Sequence, residues 1–331
     1  MPSAATALVG SSLLSGWGTG LQSLPGDARA AADGYRVLAL SSPISNDDRL
    51  RRATRECVLA VTTVELALQN SLLTRGDLAG PRTALVYASA SAYAAANWAF
   101  LTGEREQTVY FPYTAASAVP GEVTIQFGMT GPYLTLLSGA NAGIEALWQA
   151  ALLLTNHQCD RAVVLGVETF TECEELFSKG RWLLSPPLVE TAACLLLQRH
   201  PGLAQVRYCG GAHYDERALL ETVLEGATPA AVYLCLPTVQ AGRHLAQQMR
   251  AYWPNTPVVR VGDTAGTCLA CAPLIGLQLS AAAGQPGNVL LISRWWDAWS
   301  VLWWPAAVGD ASENSERKDI CNDARRSGCA Y

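Results

Sequence analysis

Apolar positions along the chain follow two patterns, short continuous runs and longer stretches with helical spacing. The continuous runs have five to eight mostly apolar residues, the length of a strand that is buried on both faces. They lie at residues 5–10, 35–40, 83–89, 133–137, 162–168, 191–198, 230–236, 256–261, 288–293 and 298–304. A glycine- and serine-rich stretch follows the first run and predicts a loop over residues 11–20.

Apolar residues three and four positions apart predict helices between these strands. The helices span residues 49–73, 140–154, 241–252 and 268–283, and residues 46–48 would cap the first of them. Strands that are apolar along their length and alternate with helices are typical of an α/β protein. The chain is therefore predicted to contain sheets that are covered by helices on both faces.

The stretch 127–150 combines a strand, a tight turn and a helix that is apolar on nearly every side. Ser138 stands where its hydroxyl would cap this helix, which is predicted to be buried in the middle of the protein. The first residue inside such a helix is a favourable place for a thiolate or an oxyanion, because the helix dipole stabilises negative charge there. In this chain that residue is Ala140.

Composition adds the expectation of a partner chain. The 331 residues can form one large core or two medium ones, and they are 50% hydrophobic but only 15% charged. So little charge predicts a large apolar interface with another chain. The net charge is −5 and no basic run or basic-aromatic stripe occurs, which argues against nucleic-acid binding.

Targeting and membrane segments are not predicted. The first basic residue is Arg29, so the N-terminus lacks the charge of a secretory signal. The most apolar run near the C-terminus, 288–308, is broken by Arg294 and Asp297 and predicts two strands around a turn rather than a membrane span. The chain is expected to be soluble and cytoplasmic, with a polar, disordered tail over residues 306–331.

The ten cysteines are scattered and mostly lie in apolar surroundings. Cys268 and Cys271 have the CxxC spacing, but they fall inside an apolar helix pattern without a partner pair or a nearby histidine. We therefore predict that they pack in the core, and we predict no metal or cofactor site.

A resemblance to a known family rests on the order and spacing of small residues around the central turn. These residues are Gly131 and Pro132 before the strand, Gly143, Ala146 and Ala150 in the helix, Asp160 and residues 166–168 in the next strand, and Gly262, Thr264 and Gly266 in a later turn. Over residues 5–305 the chain resembles the β-ketoacyl synthases of the thiolase-like superfamily. The resemblance implies a five-layer αβαβα sandwich of two similar halves, here residues 1–200 and a shortened half at 201–305. It also implies a dimer that pairs through the central strand, formed here by Tyr133, Leu134, Thr135, Leu136 and Leu137.

Members of this family condense acyl chains held on acyl carrier protein, using one cysteine and two histidines. Counted from the matching residues, the cysteine position falls on Ala140 and the histidine positions fall on Leu236 and Asp263. None of these side chains can perform the chemistry. The resemblance therefore implies a non-catalytic, chain-length-factor-like subunit that pairs with an active ketosynthase in type II polyketide, polyene or fatty-acid-like biosynthesis, with acyl carrier protein contacted through the partner.

Such a subunit would close the acyl tunnel at the dimer interface with bulky side chains. The aromatic residues ahead of the central strand are the candidates for the tunnel floor, although each one is equally suited to core packing. They are Tyr93, Trp98, Phe100, Tyr110, Phe111 and Tyr113.

Two other functions stay open from the sequence. The chain could be a divergent condensing enzyme or acyltransferase that uses Ser138, Cys173 or Cys209 as its nucleophile. It could also be a structural or carrier-docking module without influence on product length. Among the histidines, only His213 follows a glycine pair and is considered for a role in a site.

Overall fold

The computed structural model describes residues 4–41, 50, 53–103, 108–179, 184–185, 187–201, 206–211, 216–224, 227–284 and 287–305. The predicted tail at 306–331, the predicted helix cap at 46–48 and His213 lie outside these described residues.

Strands and helices alternate along the described residues. The strands are β1 (Ala4–Ser15), β2 (Gly18–Thr19), β3 (Val37–Leu38), β4 (Thr83–Ala88), β5 (Tyr133–Leu136), β6 (Arg161–Glu168), β7 (Leu188–Val189), β8 (Thr191–Pro201), β9 (Arg207–Gly211), β10 (Ala231–Cys235), β11 (Val258–Arg260), β12 (Asn288–Trp295) and β13 (Ala298–Pro305). The α-helices are α1 (Ala28–Ala31), α2 (Arg55–Gln69), α3 (Arg75–Leu78), α4 (Ala92–Leu101), α5 (Ala118–Phe127), α6 (Ala142–Thr155), α7 (Glu174–Lys179), α8 (Glu216–Leu224), α9 (Val239–Tyr252), α10 (Val261–Ala265) and α11 (Ala272–Ala283). Short 3-10 helices occur at Leu21–Ser23, Thr108–Thr114, Gly139–Asn141, Thr171–Cys173 and Leu269–Cys271.

Two mixed sheets organise these elements. The first has the order β2-β1-β8-β6-β4-β5 and takes its strands from residues 4–201. Strands β6, β4 and β5 run parallel, with β5 at the edge, whereas β8 is antiparallel to β6 and β1 is antiparallel to β8. The second sheet has the order β11-β10-β12-β13-β9 and takes its strands from residues 207–305. Strands β3 and β7 form a separate parallel pair.

Three apolar clusters show how the helices cover the sheets. Helices α2 and α5 pack on the outer face of the first sheet, and α8 and α9 pack on the outer face of the second. Helices α6 and α11 lie between the two sheets and bury their apolar side chains against both. The layers therefore run helix, sheet, helix, sheet, helix, which confirms the predicted α/β sandwich of five layers.

The predicted loop over residues 11–20 is wrong, because β1 continues to Ser15. Strand β1 stays paired with β8 along this length, with a bulge between Leu8 and Gly10. The buried hydroxyl of Ser12 donates to the carbonyl of Thr63 at 2.6 Å. A serine-rich segment can therefore lie inside a sheet, since its polar side chains find partners in the packed helix α2.

The bounds of the first predicted helix also differ from those in the structure. Helix α2 begins at Arg55 behind Thr54 and ends at Gln69, whereas residues 49–73 were expected. The hydroxyl of Ser71 donates to the carbonyl of Leu68 at 2.9 Å, a local bond that competes with helix continuation. Seven of the described helices, α1, α3, α4, α5, α7, α8 and α10, and strands β2, β7 and β9 were not predicted. Among the described residues, no helix has the length and apolar character needed to cross a membrane.

Candidate functional site

The turn between β5 and α6 is held by the second sheet. Gly139 has a φ of 64°, a left-handed conformation that suits glycine, and opens a single 3-10 turn before α6. A Cβ atom on Gly139 would lie 2.2 Å from the indole nitrogen of Trp295. The ring of Trp295, at the end of β12, therefore packs directly against the turn and leaves no space there for a side chain.

Ala140 is buried immediately inside this turn, at 1% exposure. Its carbonyl oxygen accepts a hydrogen bond from the hydroxyl of Ser293 on β12 at 2.9 Å. The next residue, Asn141, donates through Nδ2 to the carbonyl of Ala298 on β13 at 3.3 Å. The position at which the family resemblance places a nucleophile thus holds a methyl group beneath the β12–β13 hairpin.

The prediction that Ser138 caps the helix is wrong. No side-chain hydrogen bond from Ser138 reaches the backbone at this helix start. Its hydroxyl instead donates a short hydrogen bond to the carboxylate of Glu145, two turns further along α6. The structure thus supplies Ser138 with an acceptor that the sequence did not suggest, because seven residues separate the two side chains.

Leu236 and Asp263 lie on the wall of one pocket of about 200 Å³, beneath the N-terminus of α9. Leu236 follows β10 and Asp263 lies in α10, where its carboxylate forms an ion pair with Arg260. Ala140 and Trp295 are not among the residues that line this pocket. The structure therefore brings Leu236 and Asp263 together on one pocket, whereas Ala140 does not line it.

An apolar cluster extends from Trp295. Phe170, Leu184, Leu188 and Leu269 are buried in it, and Val37, Ala90, Phe177 and Trp295 pack against them. The rings of Phe170 and Phe177 meet edge to face with centroids 4.9 Å apart. The side of the turn that faces Trp295 is thus covered by aromatic and aliphatic side chains.

Glu168 is fully buried at the end of β6 and holds two loops by their backbones. One carboxylate oxygen accepts from the amide of Ala90 at 2.7 Å and from the amide of Ala270 at 3.2 Å. The other accepts from the amide and the hydroxyl of Ser91. Burial raises the pKa of Glu168 to about 7, although these hydrogen bonds act in the opposite direction. Its contacts are those of a structural support for the loops before α4 and α11.

The described cysteines are poorly placed for nucleophilic chemistry. Cys268 and Cys271 are buried in the core, as predicted, and burial raises their thiol pKa values. Burial likewise raises the pKa of Cys57 to about 12 and that of Cys159 to about 11. Cys209 is half-buried in β9, and the side chain of Cys173 lies outside the described residues. Within the described ranges, no cluster of three or more histidine, cysteine or acidic side chains could hold a metal ion.

Strand β5 is an edge strand. It pairs with β4 on one side, and the described residues provide no strand on the other. Among the described residues, six of the ten exposed large hydrophobic side chains lie between residues 98 and 137. They are Trp98, Leu101, Phe111, Ile125, Tyr133 and Leu137, which we call the 98–137 surface. The predicted pairing residues Leu134, Thr135 and Leu136 are half-buried in this edge. Exposed apolar side chains beside an unpaired strand edge are a feature of contact surfaces.

The predicted tunnel residues lie in different surroundings. Trp98 and Phe111 belong to the 98–137 surface, and the ring of Phe111 lies 5.8 Å from that of Phe100. Tyr113 instead packs against the core beneath α2 and α5, and its hydroxyl donates to Glu122 at 3.0 Å. The side chains of Tyr93 and Tyr110 lie outside the described residues.

The chain was compared with protein families, curated proteins and solved structures. Residues 43–192 match the family model described as Beta-ketoacyl synthase, N-terminal domain. Among curated proteins, no sequence matches the chain.

Solved structures extend the likeness over most of the chain. One is the AntDE:AntF structure, a type II PKS acyl-carrier protein in complex with its ketosynthase bound to the hexaketide. Its matching chain is 14% identical to this one. The match has a TM-score of 0.71 and covers 92% of this chain and 100% of that one. A Beta-ketoacyl synthase from Burkholderia phymatum STM815 is 12% identical, with a TM-score of 0.69 over 92% and 100% of the two chains. The ishigamide ketosynthase/chain length factor is 18% identical, with a TM-score of 0.64 over 91% and 100%.

At these identities the structural matches establish a shared fold. The chain therefore has the thiolase-like fold of the ketosynthases, and its residues 43–192 match the model of the beta-ketoacyl synthase N-terminal domain.

Proposed function

We propose that the chain is a non-catalytic ketosynthase-like subunit of the chain-length-factor type. It pairs with an active β-ketoacyl synthase through β5 and the 98–137 surface, and its side chains limit the length of the acyl chain in the shared tunnel. Acyl carrier protein is contacted through the partner. The pathway is of the type II polyketide, polyene or fatty-acid-like kind.

The observation that carries this proposal is a turn before α6 that offers no reactive group at the position where the resemblance places the nucleophile. Ala140 offers a methyl group there, and Trp295 fills the space beside Gly139. The two positions at which the resemblance places histidines hold Leu236 and an ion-paired Asp263. A fold that keeps the turn but has no nucleophile there is suited to assembly rather than to condensation.

Two structural neighbours support the choice of partners. One is named as a ketosynthase/chain length factor, and another is a ketosynthase in complex with an acyl-carrier protein. The exposed apolar edge of this chain would be costly to leave in water, and pairing with a second chain would bury it.

An enzyme using Ser138 is the main alternative, and the Ser138–Glu145 hydrogen bond is the observation in its favour. A serine nucleophile is usually activated by an adjacent histidine that acts as general base. The described residues place no histidine beside this pair. We therefore assign Ser138 a structural role.

Co-expression with the ketosynthase from the same host tests the proposal. The two chains are expected to co-purify as a one-to-one complex, and this chain alone is expected to give no condensation product. Native mass spectrometry and a condensation assay with acyl carrier substrate measure the two properties. A stable monomer in the presence of the cognate synthase contradicts the proposal, as does an acyl mass shift on Ser138, Cys173 or Cys209 of the isolated chain.

Replacing Trp98 with alanine tests the role in chain length. Trp98 is 37% exposed on α4, so its removal would enlarge a tunnel at the interface without emptying the core. The complex of Trp98→Ala is expected to extend its longest product by at least about two carbons, since space is gained where a bulky ring ended the tunnel. Chromatography with mass spectrometry of the products measures the length.

Tyr252→Ala is the control for this experiment. Tyr252 is also an exposed aromatic residue, but it lies at the end of α9, which packs on the outer face of the second sheet. Product length should stay unchanged in this variant. If Trp98→Ala leaves the product length unchanged as well, the structural or carrier-docking function is the better description.

A further inference from the structure

The pocket that contains Leu236 and Asp263 is lined by more arginines than carboxylates. It has a volume of about 200 Å³ and is lined by Arg29 in α1, Arg243 on α9 and Arg260 at the end of β11. Three arginines, of which Arg29 and Arg243 are exposed, therefore border one cavity. Their positive charges favour an anion in it.

Arg260 contributes a charged donor to this pocket. Its side chain is 21% exposed, and its Nη2 atom forms the ion pair with Asp263. Because Arg260 lines the pocket, an oxyanion there would compete with Asp263 for its positive charge.

The N-terminus of α9 adds positive potential to the same cavity. This helix has 14 residues, and Thr238 at its N-cap makes no side-chain capping bond. Thr238, Val239 and Gly242 from its start line the pocket. The amide of Val239 already donates to the hydroxyl of Ser185 at 3.0 Å, so this helix end attracts negative charge mainly through its dipole.

Two aspartates face these groups without cancelling them. Asp263 is paired with Arg260, and Asp27 accepts hydrogen bonds from the backbone amides of Arg29 and Ala30. The three arginines outnumber the two carboxylates among the lining residues, and the helix end adds to the difference. The pocket thus keeps an excess of positive charge.

We propose that this pocket binds a phosphate group, either as inorganic phosphate or as a phosphate monoester. The three terminal oxygens of a phosphate match three arginines and a helix N-terminus better than the two oxygens of a carboxylate do. The Asp263 carboxylate competes with the ligand for Arg260 and weakens its binding. The site is independent of the proposed pairing with a ketosynthase, because every group that forms it belongs to this chain.

Calorimetric titration of the purified full chain with inorganic phosphate, glycerol 3-phosphate and acetate, at constant ionic strength, tests the proposal. Saturable binding of phosphate or of the monoester, tighter than that of acetate, is expected. Arg260→Gln should weaken it by about tenfold or more, because a charge-assisted bond is lost. Asp263→Asn should strengthen it several-fold, because the competing carboxylate is removed.

The opposite signs of these two changes separate ligand binding from a general loss of structure. Arg243→Gln, at an exposed position, provides a second loss variant if Arg260→Gln does not fold. Arg250→Gln is the control, since Arg250 lies at the other end of α9 and does not line the pocket. Binding only of glycerol 3-phosphate identifies the monoester as the ligand. Acetate binding as tight as phosphate binding, or weaker phosphate binding by Asp263→Asn, overturns the proposal.

Discussion

Leu137→Asp is expected to lower the affinity for the ketosynthase partner by at least about 100-fold, because it places an unpaired carboxylate in a surface that pairing would bury. Leu137 lies directly after edge strand β5 and is 45% exposed in the single chain. The substitution therefore leaves the isolated chain folded, which circular dichroism can verify. Surface plasmon resonance on the two purified chains measures the affinity.

Leu72→Asp is the matched control for this change. Leu72 is also an exposed leucine, at 84%, but it lies in the loop after α2 and outside the 98–137 surface. Its replacement should leave the affinity within about twofold of that of the unmodified chain. Equal affinities for the two variants would show that the partner does not bury β5, and the pairing surface would have to lie elsewhere.

The β5 edge has further features of an incomplete structure. The hydroxyl of Thr135 is buried and has no hydrogen-bond partner among the described residues. Strand β5 uses one of its two backbone edges for β4, so the other edge is available for a further strand. A partner that adds a strand here would satisfy backbone groups and cover Tyr133 and Leu137 together.

The buried strands and the central helix could be predicted from the sequence because their pattern is local. Strand β4 and strand β6 are apolar along nearly their whole length, and only a strand covered on both faces requires such a run. Helix α6 likewise follows from its near-continuous apolar surface, which fits its place between the two sheets. The spacing of apolar residues was thus sufficient to predict most of the order of the layers.

The contents of the candidate site could not be predicted, because they depend on residues that are distant in sequence. Gly139 and Trp295 meet across 156 positions, and no local pattern in either segment indicates the contact. The cap predicted at Ser138 failed for a related reason, since Glu145 offers its hydroxyl a stronger, charged acceptor. The arginines of the pocket come from α1, α9 and β11, which the fold alone brings together.

Gly143→Ala is expected to destabilise the chain by about 3 kcal/mol, although the same change inside a helix ordinarily stabilises it by about 1 kcal/mol. A Cβ atom on Gly143 would lie 2.1 Å from the carbonyl oxygen of Ala270 and 3.0 Å from the ring of Pro273. The backbone of Ala270 is also fixed by the hydrogen bond that its amide donates to the carboxylate of Glu168. Neither group can move without disturbing other contacts. Urea unfolding should therefore give a lower free energy of unfolding for Gly143→Ala than for the unmodified chain.

Gly121→Ala provides the control with the opposite sign. Gly121 lies inside α5, and a Cβ atom there would meet nothing within 4 Å. Its replacement should raise the free energy of unfolding by roughly 0.5–1 kcal/mol, because only helix propensity changes. If both variants are stabilised, α6 does not pack against the segment before α11 as closely as the structure shows. If the two changes in the free energy of unfolding have opposite signs, their difference measures the contribution of the close contact at Gly143. This contact fixes α6, and with it the turn at Ala140, between the two sheets.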